Sequence, residues 1–293
     1  MADKDGAKAS KDFGVGVPPP EQGGFPVKGA GHLDWGMQHR LARMFDPVSG
    51  NTVMLAFDHG YIMGPTSGLE RLDLVIPPLA GHVNVLMGTR GAFKTCVPPT
   101  VQKPIVLRGT YDTSVLFEDM SVGGGIAVDM ANAVAMDASA VAVQTFVGAP
   151  GEKNSLELLA RTVDAGTAAG VPTLGVVAVG KDMARTEEFF LLATRLLAEN
   201  GAHVVKSYYC DGFERVTAAC PVPIVIAGGK KLPEADALAM AYRAIAEGAR
   251  GVDMGRNIFQ AEDPAAMAQA VGQVVHHGFT ATEAFTFYQD TKA

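Results

Sequence analysis

Lys206 is the side chain whose setting is hardest to explain as ordinary packing. It interrupts an apolar, β-branched run, Val204-Val205-Lys206-Ser207-Tyr208-Tyr209, where an ammonium ion loses its water. Burial lowers a lysine's pKa and leaves a neutral amine, able to attack a carbonyl carbon and form a Schiff base. The plainer alternative is a lysine that is salt-bridged or snorkels out of the core. Lys181, in Gly180-Lys181-Asp182, is the rival nucleophile, but that setting reads as a solvated loop.

Around Lys206 other groups suggest partners. Asp58 and His59 follow an apolar run. They suit proton exchange with an imine, and Asp58 also suits an ion pair with Lys206 across a barrel. Each could equally be a hydrogen-bonding residue at a strand end. Arg108 closes another apolar run. Gly228-Gly229-Lys230-Lys231 and Gly255-Arg256-Asn257 are glycine-rich segments with cations. Glycine lets backbone N–H groups approach an oxyanion closely, and a guanidinium adds a charged fork. Either segment alone is an ordinary turn; together they suit a phosphate. Cys96, Cys210 and Cys220 form no CxxC pair, and no His, Asp or Glu cluster has metal-ligand spacing, so no metal is expected. Cys210 lies close enough to Lys206 to be weighed as an acyl carrier, but no neighbouring histidine activates it. His276-His277 lies on a helical stretch away from the strand ends and reads as structural.

Such residues must be held by elements. Apolar, β-branched runs occur at 52–58, 83–88, 104–108, 138–147, 172–179, 202–209, 222–227 and 251–255. Amphipathic helical segments at 152–169, 185–200, 233–248 and 263–276 separate the later ones. Runs apolar on both faces, alternating with helices, indicate a parallel sheet, and eight of them indicate an α/β TIM (β/α)8 barrel. An open doubly wound sheet is the alternative, but no GxGxxG follows the first strand. Pro104, Pro172 and Pro223 sit at strand starts, where a missing N–H does little harm. In such a barrel the chemistry lies at the C-terminal ends of the strands, with phosphate held after strands seven and eight. Lys206 falls on the sixth strand, and the two glycine segments follow the seventh and eighth. Residues 1–50 read as an N-terminal arm and a short helix capped by Asp34, which cover a barrel end or a subunit contact. Residues 51–293 read as the catalytic barrel. Gly123-Gly124-Gly125 reads as a flexible loop.

Hydrophobic residues make up 48% of the chain and charged ones 19%, enough for a sizeable core. A net charge of -7 gives no reason to bind nucleic acid or an anionic membrane, and obliges any anionic substrate to be caught locally. No apolar run approaches the roughly 20 residues of a membrane span, and the polar N-terminus lacks a signal-peptide core. The sparse, odd cysteine count fits a reduced compartment. A cytoplasmic protein is expected.

Phe57-Asp58-His59-Gly60-Tyr61-Ile62-Met63-Gly64-Pro65, Val204–Tyr209, Ile224–Lys231 and Gly251–Gln260 resemble segments of archaeal-type class I aldolases, in the superfamily of deoxyribose-phosphate aldolase. The resemblance runs through the whole barrel. It implies a Schiff base on Lys206, assistance from Asp58, and a phosphate held by Gly228, Gly229, Gly255 and Arg256. Where those aldolases carry a fifth-strand tyrosine, this chain has Gly175-Val176-Val177-Ala178-Val179-Gly180. The His32–Phe45 stretch, Val85–Gly91 and Ala178–Met183 look closer to the 3-hydroxy-5-phosphonooxypentane-2,4-dione thiolases. That branch implies a small phosphorylated ketone substrate, coenzyme A as co-substrate with no resident cofactor, and a homo-oligomer. A Schiff-base aldolase acting on a sugar phosphate such as fructose 1,6-bisphosphate is the alternative activity; a non-catalytic sugar-phosphate binder is the alternative of another class.

Overall fold

The computed structural model describes Pro18, residues 27–178 and residues 185–292. Ten strands occur among them: β1 (Thr52–Ala56), β2 (Val85–Gly88), β3 (Ile105–Arg108), β4 (Thr110–Tyr111), β5 (Gly125–Ile126), β6 (Ala140–Thr145), β7 (Thr173–Val177), β8 (Val204–Tyr208), β9 (Ile224–Ala227) and β10 (Gly251–Met254). Eight close into a parallel barrel in the order β1-β10-β9-β8-β7-β6-β3-β2, while β4 and β5 form a separate antiparallel ribbon. The eight expected runs are the eight barrel strands, each observed strand lying within its expected run.

The helices are α1 (Trp35–Met44), α2 (Gly60–Met63), α3 (Leu72–Leu79), α4 (Arg90–Cys96), α5 (Met130–Ala135), α6 (Glu152–Ala169), α7 (Glu187–Glu199), α8 (Phe213–Ala219), α9 (Glu234–Ala246), α10 (Arg256–Phe259), α11 (Pro264–His277) and α12 (Ala281–Thr291).

Strand period two sorts the apolar side chains into two cores. Val53, Leu55, Leu86, Leu107, Val141, Val143, Val205, Ile226 and Val252 pack outward against the helices. Met54, Ala56, Val85, Met87, Val106, Ala142, Leu174, Val204 and Val225 fill the barrel interior. That interior cluster continues into Leu41, Met44 and Phe45, with Val27 and Ala30 beside them, so α1 plugs the barrel at the end where the strands begin. The expected cover over a barrel end is therefore present. The expected Asp34 cap is not: its side chain accepts no capping hydrogen bond, and α1 is held instead by its buried apolar face, by Arg40 donating to the Gly170 carbonyl at 2.9 Å, and by the Arg43–Asp137 ion pair.

Pro104, Pro172 and Pro223 precede their strands, and each carbonyl accepts an N–H from the neighbouring strand (Leu86, Val141 and Val205) at 3.0–3.1 Å. His276 is structural as expected, joined to Ser49 Oγ and Asn84 Oδ1 at 2.8 Å each. The glycine run at 123–125 is not merely a loop. Gly125 pairs with Tyr111 in the small ribbon, where the Tyr111 ring lies over the site a β-carbon would occupy.

Candidate active site

The strand C-termini surround a cavity lined by Asp58, His59, Tyr61, Arg108, Gln144, Lys206, Tyr208, Gly228, Gly229, Asp253, Gly255 and Arg256, among others. A larger cleft bounded by Lys28, Asn51, Thr217 and Arg250 lies at the opposite end. It lacks this convergence of titratable groups, and barrel chemistry belongs to the strand C-termini.

Lys206 points inward from β8 because Val205 and Ser207 occupy the outward face. Its Nζ stands 2.8 Å from Asp253 Oδ2 and 3.9 Å from Met87 Sδ. The Asp253 side chain has 0% exposure and that of Lys206 11%, so the pair is dry on the carboxylate side and open to the cavity on the amine side. The expectation of a lowered lysine pKa is corrected here. Burial pulls it down, but the carboxylates of Asp253 and Asp58 more than offset this and raise it above the usual lysine value. Burial pushes the Asp253 carboxyl up, partly countered by Lys206. Both groups are thus displaced upward, with Nζ and Oδ2 at ion-pair distance.

Asp58 does not pair with Lys206. Its Oδ2 accepts from Arg108 Nη1 at 3.1 Å, because Arg108, 4% exposed, needs anions to be buried at all. Arg108 Nη2 also reaches Asp112 at 2.7 Å and the Tyr61 hydroxyl at 2.9 Å, and bonds Gln144. Tyr61 donates to Asp112 at 2.8 Å. Burial first, then Asp112 and Asp58, outweigh Arg108 and raise the Tyr61 phenol far above its usual value, so it keeps its proton. The His59 ring stacks on Phe259 and bonds Thr66 Oγ1 at 3.0 Å. Burial lowers its pKa, aided by Arg256 and Lys206 and opposed by Asp58; the imidazole is neutral near pH 7.

The two glycine segments meet as expected. Asn257 knots them together, donating to the Gly228 carbonyl at 2.7 Å and accepting from Leu232 N–H at 2.8 Å. Gly229 has φ +67°, a left-handed conformation suited to glycine. Arg256 lines the cavity beside them. Lys230 does not: it is exposed and outside the lining, while Lys231 turns away to Glu234. Lys181 lies outside the described residues. Cys210 is buried, and burial together with Glu187, Asp211, Glu247 and Glu214 pushes its thiol up to about 11, which disarms it as a nucleophile. Asp253, Tyr61, Asp112 and Gln144 are the site residues that sequence reasoning did not single out.

Fold and site together define a (β/α)8-barrel enzyme with a lysine–carboxylate pair under a polar cavity. Residues 101–261 match the DeoC/LacD family aldolase model. The chain is 54% identical over 293 residues to a 3-hydroxy-5-phosphonooxypentane-2,4-dione thiolase of Enterobacter sp. (strain 638), covering all of this chain and 98% of that one. It is 52% identical, over the whole of both chains, to the protein of the same name from Escherichia coli O139:H28. Among solved structures, an archaeal fructose 1,6-bisphosphate aldolase superposes with a TM-score of 0.74 at 25% identity, covering 83% of this chain and 100% of that one. The chain belongs to the DeoC/LacD aldolase family.

Proposed function

We propose that the protein transfers the acetyl group of 3-hydroxy-5-phosphonooxypentane-2,4-dione to coenzyme A, giving acetyl-CoA and glycerone phosphate, in the degradation of the phosphorylated quorum-sensing signal autoinducer-2. The observation that carries this is Lys206 at the cavity floor in a chain 52–54% identical, along its whole length, to proteins named for that activity.

In this reading the Lys206 amine condenses with C4, beside the phosphorylated carbon, and water leaves to give an iminium. The thiolate of coenzyme A adds to C2. The C2–C3 bond then breaks, and its electron pair passes into the C3–C4 bond and neutralises the iminium. Acetyl-CoA departs; the enamine takes a proton at C3, and hydrolysis releases glycerone phosphate. The proton lost by the thiol is balanced by the one gained at C3. Neutral His59 suits removal of the thiol proton. The amides of Gly228, Gly229 and Gly255, with Arg256, suit the phosphate. Among the described residues, the fifth barrel strand offers the cavity only Val176, which favours a thiol over an aldehyde as the second reactant. The same reading takes the enzyme as a cytoplasmic homo-oligomer that needs no nucleic acid or membrane. Its cysteines are all free, and no described helix is long and apolar enough to cross a membrane.

Mixing the purified protein with the phosphorylated dione and coenzyme A should yield acetyl-CoA, detectable by mass spectrometry. Lys206→Ala should lose the activity and Cys210→Ser should keep most of it. Robust cleavage of fructose 1,6-bisphosphate without acetyl-CoA formation would refute the thiolase reading. A dead serine variant with an acetylated Cys210 in the wild type would refute direct transfer.

A further inference from the structure

A lysine that rests as an ammonium ion cannot attack a carbonyl until a base takes its proton, and the carbinolamine cannot lose its hydroxyl as water until an acid returns one. We propose that Asp253 does both, shuttling one proton from Lys206 Nζ to the departing hydroxyl. The inference rests on the Schiff-base role of Lys206, and no resemblance assigns it.

The geometry is specific. Lys206 lies on the sixth barrel strand, Asp253 on the eighth and Met87 on the second. In a closed eight-stranded barrel, side chains from alternate strands share a layer, so amine and carboxylate stand at one height. Oδ2 is 2.8 Å from Nζ, at ion-pair distance, and neither carboxylate oxygen has a hydrogen-bond donor of good geometry among the described residues. Met87 Sδ, the amine's other close neighbour, is no acid or base. Asp58, the nearest rival, is committed to Arg108, a partner that stays charged and cannot give up a proton. A buried ion pair with so few supporting hydrogen bonds is poorly compensated for its lost hydration. Moving the proton from nitrogen to oxygen turns it into a neutral pair, so the transfer is easy where it would be hard in water. Among the described residues, the other titratable groups that act on the pair are Asp58, His59 and Tyr208; β1, β2, β7 and β9 present Met54, Met87, Val176 and Val225 to the same interior.

The step balances. The proton passes from Nζ to Asp253, and the freed lone pair forms the N–C bond. The carbonyl π pair moves onto oxygen, which takes the amine's second proton. Asp253 then protonates that hydroxyl, C–O breaks, water leaves and nitrogen's lone pair closes the C=N bond. Asp253 ends ionised, as it began.

The test is the rate of borohydride-trapped adduct on Lys206 with glycerone phosphate, read by intact mass across a pH series, with coenzyme A omitted. Asp253→Asn should trap more slowly at every pH, by about 100-fold or more, with its melting temperature and circular dichroism checked alongside. Asp253→Ala should be equally slow and be accelerated by formate, which restores a carboxylate in the vacated space. If Asp253 merely holds the ammonium, the asparagine variant should instead trap as fast as wild type or faster, with its rise displaced to lower pH, because burial then acts on the lysine without the Asp253 charge to oppose it. That result, or slow variants that formate leaves slow, overturns the proposal. Failure of the wild type to trap at all is a different outcome: it removes the Schiff base itself, and with it this inference.

Discussion

Arg256 shows how much one residue is asked to supply in a chain of net charge -7. It lines the cavity between His59 and the glycine segments, and no ion pair with a carboxylate holds it among the described residues. Charge-assisted hydrogen bonds contribute roughly 1.5–3 kcal/mol. Arg256→Ala should therefore raise the KM for the phosphorylated dione by about one to two decades, with the melting temperature little changed. Steady-state kinetics check it, and an unchanged KM would place the anion elsewhere. Lys206 was legible in the sequence because a charge inside the apolar run Val204–Tyr208 is costly to bury. Asp253 carries the same signal, a charge inside Val252-Asp253-Met254, but glycines bound the run so closely that it reads as a strand exit. Tyr61, Asp112 and Gln144 were not singled out, because each is unremarkable in its own segment. Asp112 reaches Arg108 from four residues on, Gln144 from the neighbouring strand β6, and Tyr61 from beyond β1.

At the scale of elements, the site depends on two loop-to-helix joints rather than on long helices. After β10 the chain turns at Gly255 into α10, and a β-carbon there would run into the Ala56 carbonyl oxygen of the adjacent strand. Its φ of −115° is not left-handed, and close approach to Ala56 is the requirement. Gly255→Ala should push the α10 start away from β1 and misplace both the Gly255 amide and Arg256. The expected outcome is a KM increase at least as large as that of Arg256→Ala, together with a lowered melting temperature; wild-type values for both would show that β1 yields without cost. The barrel strands were legible because each is a short β-branched run bounded by turn residues. The β4–β5 ribbon was not, since two-residue strands have no periodicity to read. Lys230 was misplaced for a related reason: composition shows that a loop is cationic, but not which of two adjacent lysines faces inward, and here neither does.

At the scale of the whole molecule, one barrel serves two ends with opposite demands. The C-terminal end keeps two buried ion pairs, Lys206–Asp253 and Arg108–Asp58, costly in desolvation and held by mutual pairing. The N-terminal end is closed by apolar packing, in which Leu41 and Met44 of α1 are 0% exposed against Met54, Val85, Val106 and Val204. Leu41→Ala should open a cavity at the plug and cost roughly 2–5 kcal/mol, seen as a lower denaturant midpoint with an unchanged slope. The same variant, assayed below its melting temperature, should retain wild-type borohydride trapping of Lys206 and wild-type KM for the dione, because Leu41 does not line the cavity. A fall in trapping rate per folded molecule would mean that the plug transmits its packing through the barrel interior to the Lys206–Asp253 layer, and that the two ends are not independent.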